Sequence, residues 1–460
     1  MNLPFQDRNE ELARLRKRFT SRSATLVCLY GRRRCGKSRL LLAALEGLPA
    51  VYYVGDDREA VLQRRSLAKE IARIVEGFDR TEYPGWDDLL DRWLADAPAG
   101  AVLAIDELPF ICGSSPEFPG LLQKFVDKAK GKPVHLALCG SSQRMMMGLT
   151  LNSAAPLYGR ADEIIRVRPL QPKFLYRAGR FKSAAAAVEA WCVWGGIPRY
   201  WELALEYPDT ATAIRELVLN PVGVLHQEPG RLLIDELRDT RQASSILSLV
   251  GQGCSRLSEI AGRIGKPATS LSRPLAALME MDFIRRDVPF GSSPRDTKRT
   301  LYRINDPFFD FWFHFVEPNR SLLESSRFAV VEETIAAQWP VFVGMWWEEI
   351  ARRAVVDLPI DGTEWLPGAR WWGRSGDGEI DILALHTKSK NRLLAAEAKV
   401  SLKQADYART TAQLEKKITY LPFAQDKKLT TALFVLNANQ AGKDAAVVTA
   451  QDIVDLPNKP

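Results

Sequence analysis

The chain has 460 residues, 46% hydrophobic and 26% charged, with 63 basic against 56 acidic side chains and a net charge of +7. This is the composition of an ordinary soluble globular protein, long enough for roughly two to four domains. No apolar run reaches the ~20 residues of a membrane helix and no charged-then-apolar start resembles a leader, so a cytoplasmic protein without a membrane partner is expected. The six cysteines (Cys28, Cys35, Cys112, Cys139, Cys192, Cys254) form no C-x-x-C pair and the four histidines stand apart, which suggests neither zinc nor a disulfide framework. The positive balance permits nucleic-acid binding, and clustering must decide it.

The pattern predicts a first helix over Asp7–Phe19, with Leu12, Leu15 and Phe19 on one face. The β-branched and apolar run Thr25–Tyr30 reads as a buried strand, and Ser38–Leu45 as a helix. Between them, residues 31–38 spell a complete G-x-x-x-x-G-K-[ST] loop. In that setting, glycine-permitted backbone N–H groups and a helix N-terminus cradle phosphate. Lys37 reaches the β- and γ-oxygens and the Ser38 hydroxyl ligates Mg²⁺. Gly31, Arg34, Gly36, Lys37, Ser38 and Arg39 are the expected ATP contacts.

Further strands are predicted at Val51–Val54, Ala101–Ile105, Val134–Cys139 and Glu163–Val167, with helical stretches between them. That alternation predicts a parallel sheet with helices on both faces. Asp106 and Glu107 end the third strand, where Asp106 can hold Mg²⁺ through water and Glu107 can deprotonate the attacking water. Ser141 or Ser142, ending the next strand, could sense the γ-phosphate or cap a helix. Arg160, just before the last strand, is the candidate arginine finger. A helical stretch over about 172–235 contains Gly195–Arg199, where Pro198 could touch adenine and Arg199 a phosphate.

Phe5-x-Asp7-Arg8-x-x-Glu11-Leu12, Leu29–Arg34, Cys139–Ser142, Tyr158–Arg160 and Gly195–Pro198 follow one another in this order. The set resembles the archaeal-type ATPases on the AAA+/STAND side of the P-loop ATPases. That resemblance implies a switch ATPase with a protein or nucleic-acid client, rather than a kinase of small molecules.

From Ser244 the pattern becomes helix (246–250), helix (256–264), third helix (268–281), then two strands (283–286 and 300–304) around a Gly/Ser/Pro-rich loop. This order predicts a winged helix-turn-helix. Leu271, Leu275, Leu278 and Met279 mark the buried face of its third helix, while Thr269, Ser270 and Arg273 could face a major groove. Arg285, Arg286, Arg295, Lys298, Arg299 and Arg303 would form a basic wing suited to DNA phosphates. The aromatic run Phe308–Phe315 reads as core.

Beyond about residue 320, Gly378–Leu385 and Arg392–Val400 read as two strands joined by a turn at 386–391. A hairpin centred on Ser389 pairs Asp381 with Glu397, and strand period two puts Lys399 on the same face. Two carboxylates hold Mg²⁺ or Mn²⁺, and the ammonium positions a water or steadies phosphorane charge. The D-x15-E-x-K arrangement resembles the PD-(D/E)XK nuclease superfamily. By that resemblance the segment Gly344–Arg352 supplies an outer acid, Glu348 first and Glu349 second.

The expected fold class is α/β: a parallel-sheet P-loop ATPase core (1–170), a helical lid (171–238), a winged helix (239–317) and a restriction-endonuclease-like module (318–460). The expected catalytic residues are Glu107, Arg160, Glu348, Asp381, Glu397 and Lys399, with Ser38, Asp106, Asp381 and Glu397 on metal. Two readings follow. One is an ATP-regulated nuclease acting on double-stranded DNA. The other is a STAND-like regulatory ATPase whose carboxyl-terminal half only binds nucleic acid or protein. Self-association or a protein client fits either.

Overall fold

A computed structural model of the chain describes residues 3, 5, 7–179, 181–237, 239–293, 295, 299–373, 378–421, 423–438 and 446–457. The chain divides into two units, Pro4–Pro169 and Leu170–Lys459. Among the described residues no helix is long and apolar enough to cross a membrane.

The amino-terminal unit is built on five parallel strands: β1 (Leu26–Tyr30), β2 (Ala50–Val54), β3 (Ala101–Asp106), β4 (Val134–Gly140) and β5 (Glu163–Arg166). Their order is β2-β3-β4-β1-β5. Every residue of β1, β3 and β4 is buried, as a parallel sheet covered on both faces requires. Helix Trp86–Asp96 contributes the stripe Trp86, Leu89, Leu90 and Trp93 at helical spacing, and the Trp86 ring lies 4.7 Å from that of Phe118. Each large side chain buried there contributes about 1.5–3 kcal/mol. The chain crosses over β4 and β3 to reach β2, works back to β4, then crosses over β1 to β5. The carboxyl end of β1 therefore lies where the strand order reverses, the crevice in which open α/β sheets take ligands.

The second unit starts with helices Pro172–Ala178, Ala184–Trp194, Pro198–Ala204, Thr210–Ile214 and Glu228–Glu236. Helices Thr240–Gly251 and Leu257–Ile264 follow, then a 3-10 turn Ala268–Leu271 running into helix Ser272–Glu280. The antiparallel hairpin β6 (Ile284–Asp287) and β7 (Leu301–Ile304) comes next. Leu271, Leu275 and Leu278 are buried, Met279, expected with them, is only half-buried, and Thr269, Ser270 and Arg273 are exposed. The aromatic run is core as expected, with Phe308, Phe309, Phe311, Phe313 and Phe315 all buried.

The basic hairpin departs from the expected free wing. Arg285 is ion-paired with Asp287 at 3.1 Å and Glu349 at 3.3 Å, and Arg303 approaches Asp287 at 3.6 Å. Arg286 donates to the Thr300 hydroxyl and Arg299 to that of Ser292. The loop between the strands is anchored too, because Phe290 N–H donates to the Arg370 carbonyl at 2.8 Å and its ring lies 5.5 Å from Phe423. Sequence pattern counts charges but does not say which are neutralised by partners distant in the chain. Lys298 lies outside the described residues.

Helix Phe328–Ala354 leads to a five-stranded mixed sheet of β8 (Ala369–Trp372), β9 (Glu379–Leu385), β10 (Arg392–Ser401), β11 (Lys428–Asn437) and β12 (Ala446–Thr449), in order β12-β11-β10-β9-β8. β9 and β10 are antiparallel, while β10, β11 and β12 run parallel. Leu383 of β9 and Leu393 and Ala395 of β10 pack with Leu414 and Ile418 of helix Asp406–Ile418.

Asp310, in helix Pro307–Phe311, accepts a 2.9 Å hydrogen bond from Trp346 Nε1. Burial pushes its carboxyl up from 3.8 to about 6, against the opposing pull of that bond and of nearby Arg285 and Arg303. A carboxyl raised on folding binds its proton more tightly in the native chain. Stability therefore falls as pH rises from about 3.8 through about 6 and stays lower above. Asp310→Asn, which still accepts from Trp346, should raise stability at pH 7 by about 3 kcal/mol and flatten this acid-side slope. Thermal melts of both proteins between pH 4 and pH 7 check it (a pH window of about three units).

Candidate functional site

The first candidate site is assembled at the carboxyl ends of β1, β3 and β4. The loop leaves β1 through Gly31, where an added Cβ would lie 2.3 Å from the Val167 carbonyl oxygen, so no other residue fits without moving the chain. Arg34 and Gly36 both take left-handed backbone (φ +68° and +90°), the curl that turns successive N–H groups inward. Helix Lys37–Leu45 starts directly after. The buried Lys37 ammonium donates to the Gly31 and Arg32 carbonyls at 2.9 and 3.1 Å. Arg8 braces this loop from below: its buried guanidinium donates to the Cys35 and Arg168 carbonyls and pairs with Glu11 at 3.1 Å.

Ser38 Oγ donates to Asp106 Oδ2 at 2.6 Å, and the Tyr52 hydroxyl donates to the same oxygen at 2.6 Å. Burial pushes Asp106 up, but hydrogen bonds from Cys139, Ser38, Tyr52 and the Glu107 N–H outweigh it and hold the carboxylate below its ordinary range. A serine hydroxyl and an ionised aspartate in contact form the hard oxygen set that suits Mg²⁺. Glu107 itself has left-handed backbone (φ +50°), and its Oε2 accepts from Ser141 Oγ at 2.7 Å and from Ser141 N–H at 3.2 Å. Ser141, expected either to sense the γ-phosphate or to cap a helix, is placed against the Glu107 carboxylate by these bonds. Tyr52 was missed in sequence because nothing local to Val51–Val54 points to Asp106.

Arg160 sits against Asp127 at 3.1 Å, the surface ion pair that was the alternative to a finger. Arg39 is exposed on the first helical turn. In the second unit, Pro198 occupies the first turn of helix Pro198–Ala204 and Arg199 pairs with Glu202 at 3.0 Å.

The second candidate site lies at one end of β9 and β10. The register pairs Ala396 with Ile382, and one further step sets Glu397 opposite Asp381, as expected for a hairpin centred on Ser389. On β10 the alternation Leu393, Ala395, Glu397, Lys399 carries one face from apolar core to charge, and Leu383, Asp381, Glu379 does the same on β9. Lys399 Nζ lies 2.7 Å from Glu397 Oε2 and 3.8 Å from Asp381 Oδ2. The Ala398 N–H donates to Asp381 at 2.9 Å.

The acids group differently from the expected Asp381–Glu397 metal pair. Glu348, Glu379 and Asp381 bring carboxylate oxygens within 4.8 Å of one another, close enough to share a cation. Glu397 is instead gripped through both oxygens, by Lys399 and by Lys417, each at 2.7 Å. Burial, then the charges of Glu348 and Glu397, push Asp381 up to about 7. Burial also disfavours the Glu397 anion, but Lys399 and Lys417 outweigh it and hold that carboxyl below its ordinary value. Three carboxylates that share a cation supply hard oxygen donors, and the cation relieves the repulsion that raises Asp381, so the donor set fits Mg²⁺ or Mn²⁺.

Of the two outer acids expected, Glu348 joins the cluster. Glu349 is enclosed by Arg353, Arg352 and Arg285 at 2.6, 3.1 and 3.3 Å, and these charges overcome burial to hold it down to about 2. Glu379, which pairs with Arg370, was missed although the period of two from Asp381 signalled it.

Residues 5–203 match the model of an ATPase domain predominantly from Archaea, and residues 312–411 match a family of archaeal and bacterial proteins of unknown function. An uncharacterized protein of Methanocaldococcus jannaschii is 27% identical over 418 residues, which is 90% of this chain and 91% of that one. Among solved structures, the Walker-type ATPase of Pyrococcus abyssi is 22% identical, with a TM-score of 0.50 over 67% of this chain and 96% of its own. A STAND protein of Pyrococcus horikoshii is similar only at TM-score 0.33 and 14% identity, over 76% of this chain and 50% of its own. The chain therefore carries an archaeal-type P-loop ATPase domain and, near its other end, the second family's segment.

Proposed function

We propose that the chain is a switch ATPase whose carboxyl-terminal module, residues 318–460, cleaves phosphodiester bonds in nucleic acid, double-stranded DNA first. In this reading residues 239–317 are the winged helix and make the DNA contact through the exposed Thr269, Ser270 and Arg273 rather than the paired hairpin arginines, and 171–238 act as the lid. In the ATPase half, Glu107 takes a proton from water as its oxygen bonds to the γ-phosphorus. The bond to the β–γ bridging oxygen breaks, and its electron pair leaves with ADP. Lys37 holds the phosphates, and Ser38 and Asp106 would hold Mg²⁺.

In the second half, Glu348, Glu379 and Asp381 would hold Mg²⁺ or Mn²⁺, which supplies Lewis-acid activation of water and phosphate. Water oxygen bonds to phosphorus and gives its proton to solvent. The sugar oxygen leaves with the electrons of the broken P–O bond and is protonated in turn. Lys399 steadies the charge gathering on the phosphoryl oxygens. The observation carrying this reading is Lys399 Nζ between Glu397 and Asp381, beside the three-carboxylate cluster.

Supercoiled plasmid incubated with the full chain, ATP and Mg²⁺ or Mn²⁺ tests it. Nicking is expected, and Lys399→Ala should slow it ~10²-fold. Plasmid left intact by the wild type, or nicked equally by the variant, removes the nuclease reading. The lysine grip on both oxygens of Glu397 favours a second reading, a STAND-like regulatory ATPase whose carboxyl-terminal module binds its partner without cutting it.

A further inference from the structure

We propose that Lys417 is a phosphate-binding residue, completing with Lys399 a pair of ammonium groups that receives one backbone phosphate of a nucleic-acid duplex. The inference rests on the nucleic-acid reading of the carboxyl-terminal module and adds a residue from a third element, helix Asp406–Ile418. Lys399 takes one oxygen of Glu397 and Lys417 the other, both at 2.7 Å. The carboxylate between them is 5% exposed, while the two lysines are 39% and 36% exposed. The anchor is sealed from water and its two cations open to it. Each ammonium has three N–H donors, of which Glu397 occupies one, so donors remain for an incoming anion.

A structural role accounts poorly for this arrangement. Lys399 already stands between Glu397 and Asp381, so Lys417 brings a second ammonium to a carboxylate that has one. A cation in the last helical turn complements the helix dipole, but exposed Lys416 supplies that alone. Lys417 is instead laid over the strand entry: a Cβ added at Gly378 would be 3.8 Å from its Cγ. Asp381 and the cluster it shares with Glu348 and Glu379 flank the pair, so a phosphate held here would also face the candidate cation.

The test is fluorescence anisotropy of a labelled DNA duplex titrated with the full chain across a salt series, with Ca²⁺ as the divalent ion. Wild type and the Lys417→Gln and Lys417→Arg variants are compared. Loss of one phosphate contact should raise Kd ~10-fold and reduce the slope of log Kd against log salt by about one in Lys417→Gln. Lys417→Arg should restore both. A wild-type chain that binds while Lys417→Gln keeps its affinity and slope overturns the inference and leaves the nucleic-acid reading standing. Weakened binding with an unchanged slope and no arginine rescue is a structural effect and also overturns it. A wild-type chain that does not bind the duplex removes the nucleic-acid reading itself, and this inference with it.

Discussion

Glu107→Gln is expected to bind ATP as the wild type does and to hydrolyse it ~10²–10⁴-fold more slowly, the usual cost of losing a positioned general base. Glutamine has the same shape, and its carbonyl oxygen can still accept from the Ser141 hydroxyl and N–H, so the left-handed turn after β3 should survive. Only the proton acceptor is lost. Lys37→Ala separates the two steps, because it removes the ammonium beside Gly31 and should abolish nucleotide binding itself. Calorimetry with ATP and single-turnover release of labelled phosphate distinguish them. Normal turnover by Glu107→Gln would mean that another group activates the water.

Asp381→Asn should cost the proposed nuclease ~10³-fold in rate and remove Mn²⁺ binding at the cluster of Glu348, Glu379 and Asp381. The amide oxygen can still accept from the Ala398 N–H, so the β9–β10 register is retained, and circular dichroism should match the wild type. What changes is the charge. Three converging carboxylates, one pushed up to about 7 by burial and its neighbours, become two and a neutral amide. An unaltered Mn²⁺ isotherm in the variant would place the ion elsewhere.

The nucleotide-binding half was readable from sequence because its chemistry is local. Strand, glycine loop and helix occupy consecutive residues, and Asp106–Glu107 end an unmistakably apolar run. The β9–β10 hairpin was readable for a similar reason, since one short turn at Ser389 fixes the pairing of every residue in both strands. What escaped reading was long-range convergence. Lys417 reaches Glu397 from a helix whose own pattern reports only its buried face, and Tyr52 reaches Asp106 from a neighbouring strand. The arginines of β6 and β7 looked like a solvent-facing wing because the sequence does not show Glu349 arriving beside Arg285. Glu379 alone was within reach, two residues before Asp381 on a strand already identified.

The seating of Phe290 beside Phe423, with its N–H on the Arg370 carbonyl, governs where this polypeptide can be cut for study. A fragment beginning at residue 318 would expose the Phe423 ring, strip a hydrogen bond from the edge strand β8 and deprive Glu349 of Arg285. Such a fragment invites aggregation at its bared sheet margin, whereas one starting at Leu170 keeps the hairpin as a built-in clasp together with the rest of its compact unit.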